Sequence, residues 1–165
     1  MMNNTEVMTS IISLPNKTLY DGEVNYYALN LLRIPNFRGC KMKDELSMQK
    51  PIDVECGVVN LNNHTQKGSH WCCYSKTPTS RYYFDSYGEP PPVEVLKYLK
   101  TPEEYNLPVI QRSAVIVQKD NSNECGALCL FVLKKLADNV PFPTILQYLQ
   151  QRYNNNTEAS LNIKV

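Results

Sequence analysis

No stretch of this chain approaches the roughly twenty apolar residues needed to cross a bilayer. Its first residues, Met-Met-Asn-Asn-Thr-Glu-Val-Met, lack the basic segment and long apolar run of a signal peptide. The expectation is therefore a protein that is neither membrane-bound nor secreted. Charge of one sign is missing too. The 17 Lys and Arg nearly balance the 16 Asp and Glu, leaving a net +1. The totals show no nucleic-acid footprint, although a local basic patch stays open. Repeats and linker-like stretches are absent. The 165 residues are thus expected to form one domain around one core, with 1–16 and 154–165 less ordered.

What is present is an ordinary globular mixture, 42% hydrophobic and 20% charged. Aromatic residues reach 10%, with 11 Tyr that could line a cleft or a sheet. Six cysteines would suit a disulfide framework in a secreted protein. Here Cys72-Cys73 and Cys125/Cys129 sit inside apolar runs, as reduced buried thiols do. A reducing compartment is expected. Asn3, Asn16, Asn63 and Asn155 match the glycosylation pattern, which carries no weight without a secretory signal.

Periodicity supplies a coarse map. Asp21 is placed to cap a helix through Val24, Tyr27, Ala28, Leu31 and Leu32, which Pro35 ends. Phe37 to Cys40 and Asp44 to Leu46 read as loop with turns. Strands are expected over Val54–Leu61, His70–Tyr74, Arg81–Asp85 and Ser113–Gln118, with a hairpin link at Lys76–Ser80. A helix fits Val93–Lys100, with Val93, Leu96 and Leu99 on one side. A second should run from about Glu124 to Ala137, capped by Ser122 or Asn123. A third fits Thr144–Tyr153, with Pro143 in its first turn. Leu161-Asn-Ile163 is a segment that could dock. The expected class is α+β, a small, mostly antiparallel sheet with helices packed on it.

Chemistry concentrates on four residues. Cys125 opens an apolar helical run, Asn-Glu-Cys-Gly-Ala-Leu-Cys-Leu-Phe-Val-Leu, so the thiol stands where unpaired N–H groups and the helix dipole favour a thiolate. His70 would serve as imidazolium partner and general base. Asp85, at the end of the neighbouring strand, would accept the other ring proton of His70. The backbone N–H of Cys125 and the side-chain amide of Gln118 are natural donors to an oxyanion. Gly126 allows close approach of backbone. Trp71 beside the base fits equally a cleft wall and ordinary core packing. Taken singly, each has a bland reading as a packing or turn residue. In one order, with compatible local structure, they point to a thiol hydrolase.

The blocks that carry this chemistry also carry a resemblance. Asn60-Leu-Asn-Asn-His-Thr-Gln-Lys-Gly-Ser-His70-Trp71, then Tyr83-Phe84-Asp85-Ser86-Tyr87-Gly88, then Gln118 through Cys125-Gly126, resemble the adenain family of viral maturation proteases. They are similar as well to its relatives in virophages, in Maverick/Polinton-type elements and among SUMO-deconjugating proteases. Asn36-Phe-Arg-Gly39 followed by Lys43-Asp-Glu-Leu46 resembles a segment of the viral members. The match runs from roughly Phe37 to Leu136.

The resemblance implies a central sheet with the Cys at a helix start, a His70–Asp85–Cys125 triad and an oxyanion hole at Gln118 and Cys125. It implies cleavage after small residues, often Gly-Gly or Gly-x, in capsid precursor proteins. A monomer acting in the infected cell and in the virion is expected. Adenain is stimulated by a peptide and by DNA. No cofactor is evident here, and neither activator can be placed on this sequence. The acid departs from the adenovirus members, being Asp85 where they carry Glu. The alternatives are a deconjugase of ubiquitin-like modifiers and a zinc module using His64, His70, Cys72 and Cys73. Adjacent Cys72 and Cys73 on a strand point to opposite faces, so they could not easily share a metal.

Overall fold

A computed structural model describes residues 10–62, 70–100, 109–120, 122–155 and 160–165. Its centre is β4 (Trp71–Thr77) paired antiparallel with β5 (Ser80–Phe84) through a tight turn at Pro78-Thr79. On the other side of β4 lies β3 (Glu55–Asn60), also antiparallel. The edges are β2 (Phe37–Met42) and β6 (Ile110–Arg112), giving a five-stranded sheet in the order β2-β3-β4-β5-β6.

Both edge strands run parallel to their neighbours, so the sheet is mixed rather than mostly antiparallel. A parallel neighbour requires a crossover connection. The 3₁₀ helix Lys43–Met48 lies between β2 and β3, and α2 (Val93–Leu99) between β5 and β6. Asp44–Leu46, which reads as loop, thus lies in one crossover, the helix expected over Val93–Lys100 lies in the other, and Phe37–Met42 is a strand. Gly39, at φ +92°, lies where the β2–β3 register shifts between Phe37 and Cys40. A bulged strand lacks clean alternation, which is why its sequence reads as irregular.

Along β4, alternate side chains enter opposite cores, as the strand period requires. Trp71 and Cys73 join one core with α1 (Asp21–Tyr26), α3 (Cys125–Ala137) and α4 (Phe142–Asn154). Cys72 and Tyr74 join the other with Leu46 and α2. With both faces covered, all of β3 is buried. The run Gly126–Leu133 of α3 is buried all round, as a central helix must be.

Several elements differ from the sequence expectation. Asp21 is the first residue of α1 rather than its cap, and α1 continues as a π-helical turn, Tyr27–Leu31. The apolar face itself, Val24, Ala28 and Leu32, is buried as expected. On α2 the buried residues are Val95, Tyr98 and Leu99, while Val93 and Leu96 face solvent. The cause lies beneath the helix. The Tyr98 hydroxyl donates to the buried carboxylate of Glu55 at 2.6 Å, beside Tyr74 Oη at 2.7 Å, and this fixes the helix rotation. The N-terminal lead-in is anchored over β1 (Ile11–Leu14), which pairs antiparallel with β7 (Leu161–Lys164) and buries Leu14, Leu161 and Ile163. The docking expected of Leu161–Ile163 is therefore seen. Residues 156–159 lie outside the described residues, as does His64.

The segment Ser113–Gln118 forms no strand. It runs beside the end of β5 and the turn after it, with two backbone bonds among the described residues, Ser113 N–H to Tyr83 O at 3.0 Å and Val117 N–H to Ser86 O at 2.8 Å. The Gly88 turn, at φ +72°, occupies the space a ladder would need. A Cβ at Gly88 would stand 3.0 Å from the backbone of Ala114 and Val115. Gly88→Ala is expected to destabilise the protein by about 1–3 kcal/mol through overpacking against rigid backbone, together with strain at positive φ. A lowered urea midpoint at unchanged slope would register it; an unchanged midpoint would contradict this account of the turn.

Candidate active site

The antiparallel β4–β5 pair brings His70 and Asp85 together. His70 stands immediately before β4 and Asp85 immediately after β5, and Cys73 lies opposite Phe84, so both residues emerge at one end of the sheet. His70 Nε2 is 2.8 Å from Asp85 Oδ1. Asp85 is buried, and its backbone is gripped by Ser113. The Asp85 N–H donates to Ser113 Oγ at 2.9 Å, and that hydroxyl donates back to the Asp85 carbonyl at 3.1 Å. Tyr87 N–H donates to Asp85 Oδ1 at 2.9 Å, and its ring stacks on His70 with centroids 5.1 Å apart.

Cys125 is the first residue of α3, half-buried, and opens on the same cleft as His70. The residue before the helix is Glu124, not Ser122 or Asn123. Ser122 Oγ accepts the Glu124 N–H at 3.2 Å, one step outside the helix. The Glu124 carboxylate pairs with both terminal nitrogens of Arg152 on α4, at 2.7 and 3.3 Å, and both side chains are buried. That clamp fixes where α3 starts. Gln118 is buried, with its Nε2 donating to the Ser122 carbonyl at 2.9 Å.

His70, Trp71, Tyr87, Gln118 and Cys125 line one open cleft of about 360 Å³, walled on its far side by Thr18–Asp21. Trp71 belongs to both cleft and core. It is 8% exposed, and its indole N–H donates to the Leu19 carbonyl at 2.9 Å. Gly126 is buried, and a Cβ there would meet Leu19 at 3.2 Å and Trp71 Cδ1 at 3.3 Å. Its missing side chain makes room for the pair that walls the cleft.

Charge favours an ion pair. Burial opposes the imidazolium of His70, but hydrogen bonds to Asp85 and Cys125 outweigh it and raise the His70 pKa to about 9. Burial likewise opposes the thiolate of Cys125. His70, with the backbone of Trp71 and Gly126, overcomes that and brings the thiol below its ordinary value. Cys40, Cys56 and Cys129 go the opposite way. Burial pushes Cys40 and Cys56 up to about 12 and Cys129 well above the ordinary range. Cys72 and Cys73 lie in different cores, and among the described residues no group of three or more His, Cys, Asp or Glu gathers as a metal site.

No protein-family model and no curated sequence matches the chain. Solved structures do. A crystal structure of the ASFV pS273R protease superposes with a TM-score of 0.52 at 17% identity, over 81% of this chain and 62% of that one. The fold is similar to that of the ASFV pS273R protease. Its selenomethionine form gives 0.47 at 22% identity, over 59% and 39%. A SUMO protease Ulp1 with its catalytic cysteine oxidised to a sulfonic acid gives 0.48 at 14%, over 86% and 80%. The chain spans less than two thirds of the length of the pS273R structures.

Within this pS273R-like fold, sequence reasoning did not single out Leu19, Ser113, Glu124 or Arg152. Glu124 adjoins Cys125 and was within reach. The other three are distant in sequence, with no local signal to mark them.

The paired shifts give a pH prediction. Thiolate and imidazolium coexist between the lowered pKa of Cys125 and the raised one of His70, about 9. Iodoacetamide alkylation of Cys125 is expected to rise with a midpoint below the free-thiol value of about 8.5. A rate rising only near that value would refute the ion pair. In Asp85→Asn the carboxylate that raises the His70 pKa is gone, so the pH at which the His70 ring loses its proton, followed by NMR, should fall from about 9 towards neutrality. A ring titration that stays in place would remove Asp85 as its cause.

Proposed function

We propose that this chain is a cysteine-type endopeptidase that processes viral capsid and virion precursor proteins, at Gly-Gly or Gly-x sites. The observation that carries the chemistry is the arrangement of Cys125 at the start of α3, in one cleft with a His70 that is held at 2.8 Å by buried Asp85. Similarity of fold to a viral protease supports the reading. The substrate class and the Gly preference rest on the resemblance of the His-Trp, Phe-Asp-Ser and Gln…Cys-Gly blocks to the adenain family. Action inside the infected cell and the virion is part of the same proposal.

The steps follow from the geometry. The Cys125 thiolate attacks the scissile carbonyl, and its S–C bond forms as the carbonyl oxygen takes the negative charge. The N–H of Cys125, at a helix start where no intrahelical carbonyl is available, and the Gln118 amide stabilise that oxygen. Collapse breaks the C–N bond while the His70 imidazolium protonates the leaving amine. The acyl group remains on sulfur as a thioester. Neutral His70 then takes a proton from water, which attacks the thioester and releases the acid. Asp85 holds the ring throughout and supports its positive form.

Capsid precursors incubated with the enzyme should yield new termini at glycine-containing sites, identified by mass spectrometry. Cys125→Ala should lower the cleavage rate by at least about 10⁴-fold with the fold intact. Full activity of that variant would dismiss the triad. A SUMO-type activity probe run in parallel separates the deconjugase. Labelling of Cys125 without precursor cleavage would transfer the reading to modifier removal.

A further inference from the structure

Ser86 follows Asp85 directly and is fully buried, yet the chemistry above gives it no task. Its Oγ lies 2.5 Å from Gln118 Oε1. On the opposite end of that amide, Nε2 lies 2.9 Å from the Ser122 carbonyl. The orientation can be deduced. A backbone carbonyl only accepts, so the atom facing Ser122 must be the nitrogen. The atom facing Ser86 is then the oxygen, and the Ser86 hydroxyl is the donor. One N–H of Nε2 is used by Ser122. The second has no partner among the described residues, on a side chain that lines the cleft with Cys125.

We propose that Ser86 is a positioning residue for the oxyanion donor. Its hydroxyl tethers the Gln118 amide so that an N–H, not the carbonyl oxygen, is presented to the reacting carbonyl. The proposal rests on Gln118 acting as that donor. Without the hydroxyl, Nε2 remains drawn to the Ser122 carbonyl, but the amide plane is free to turn about that contact. The second N–H then loses its direction. The backbone is also tied here, since Val117 N–H donates to the Ser86 carbonyl at 2.8 Å. The side-chain tether is therefore separable from the course of the chain. Asp85 and Ser86 divide two tasks between adjacent residues, one holding the base and one aiming the oxyanion donor.

Kinetics of Ser86→Ala, Gln118→Ala and the double variant on a cleaved precursor peptide test this. Ser86→Ala should lower kcat about tenfold with KM within about twofold, the loss of one hydrogen bond felt in the transition state. Gln118→Ala should lower kcat about 10²-fold, and the double variant should be no slower than Gln118→Ala alone. The alkylation profile of Cys125 should not move in any of them. Ser86→Cys, which keeps the volume and a weak donor, should recover part of the loss. Independently of turnover, the side-chain amide protons of Gln118, seen by ¹⁵N-glutamine labelling, should exchange at least about tenfold faster in Ser86→Ala. A full further loss from Ser86→Ala in the Gln118→Ala background, a shifted alkylation profile, or unchanged amide exchange would overturn the proposal. Absence of turnover in the wild type would instead count against the protease reading, while the exchange measurement would still decide the tether.

Discussion

The register of β4 on β5 is the constraint on which the rest of the molecule depends. With Cys73 opposite Phe84, the residues just beyond the paired ends face each other at the mouth of the cleft. Side chains of a strand alternate between faces, so a slip of one residue would exchange the two cores. Trp71 and Cys73 would leave α3 for α2, and Cys72 and Tyr74 would do the reverse. Neither core has the shape for that exchange. The requirement that both faces be filled therefore sets the His70–Asp85 distance, and no loop has to find it.

Buried carboxylates fix what the register does not. Glu55, Asp85 and Glu124 each lie within the protein, where an ionised group must find donors. Asp85 takes His70 and the Tyr87 N–H. Glu55 takes the hydroxyls of Tyr74 and Tyr98 and the N–H of Ile52, with Arg38 and Lys76 at 3.4 and 3.8 Å. Glu124 takes Arg152. Each joins elements that apolar packing alone would let slide: strand to strand, α2 to the sheet, α3 to α4. Apolar area supplies the drive to collapse, and these polar contacts choose one arrangement among those of similar burial.

The legible parts of this structure were those written in local pattern. The Val-rich run of β3, the two hairpin strands and the apolar helix after Cys125 carry their period in the sequence, and their bounds fall within a few residues of expectation. The residues brought together at the cleft were readable for the same reason, since they stand at the ends of those elements. What could not be read depended on partners far away in the chain. The rotation of α2 follows from Glu55, the bulged β2 from its parallel pairing, and the failed strand at Ser113–Gln118 from Gly88. None of those contacts leaves a periodic trace.

The β1–β7 ribbon has a consequence of its own. It joins Ile11–Leu14 to Leu161–Lys164 and lays Ile163 into the core that holds α3. These strands lie near opposite ends of the described sequence, so their pairing closes the longest loop among the described strand pairs. During synthesis, the sheet and the helix bearing Cys125 are complete before β7 has left the ribosome. Until then part of that helix's packing is bare. A strand translated after that helix is thus the one that seals it, and a chain cut before Leu161 would leave that side of the core open to water.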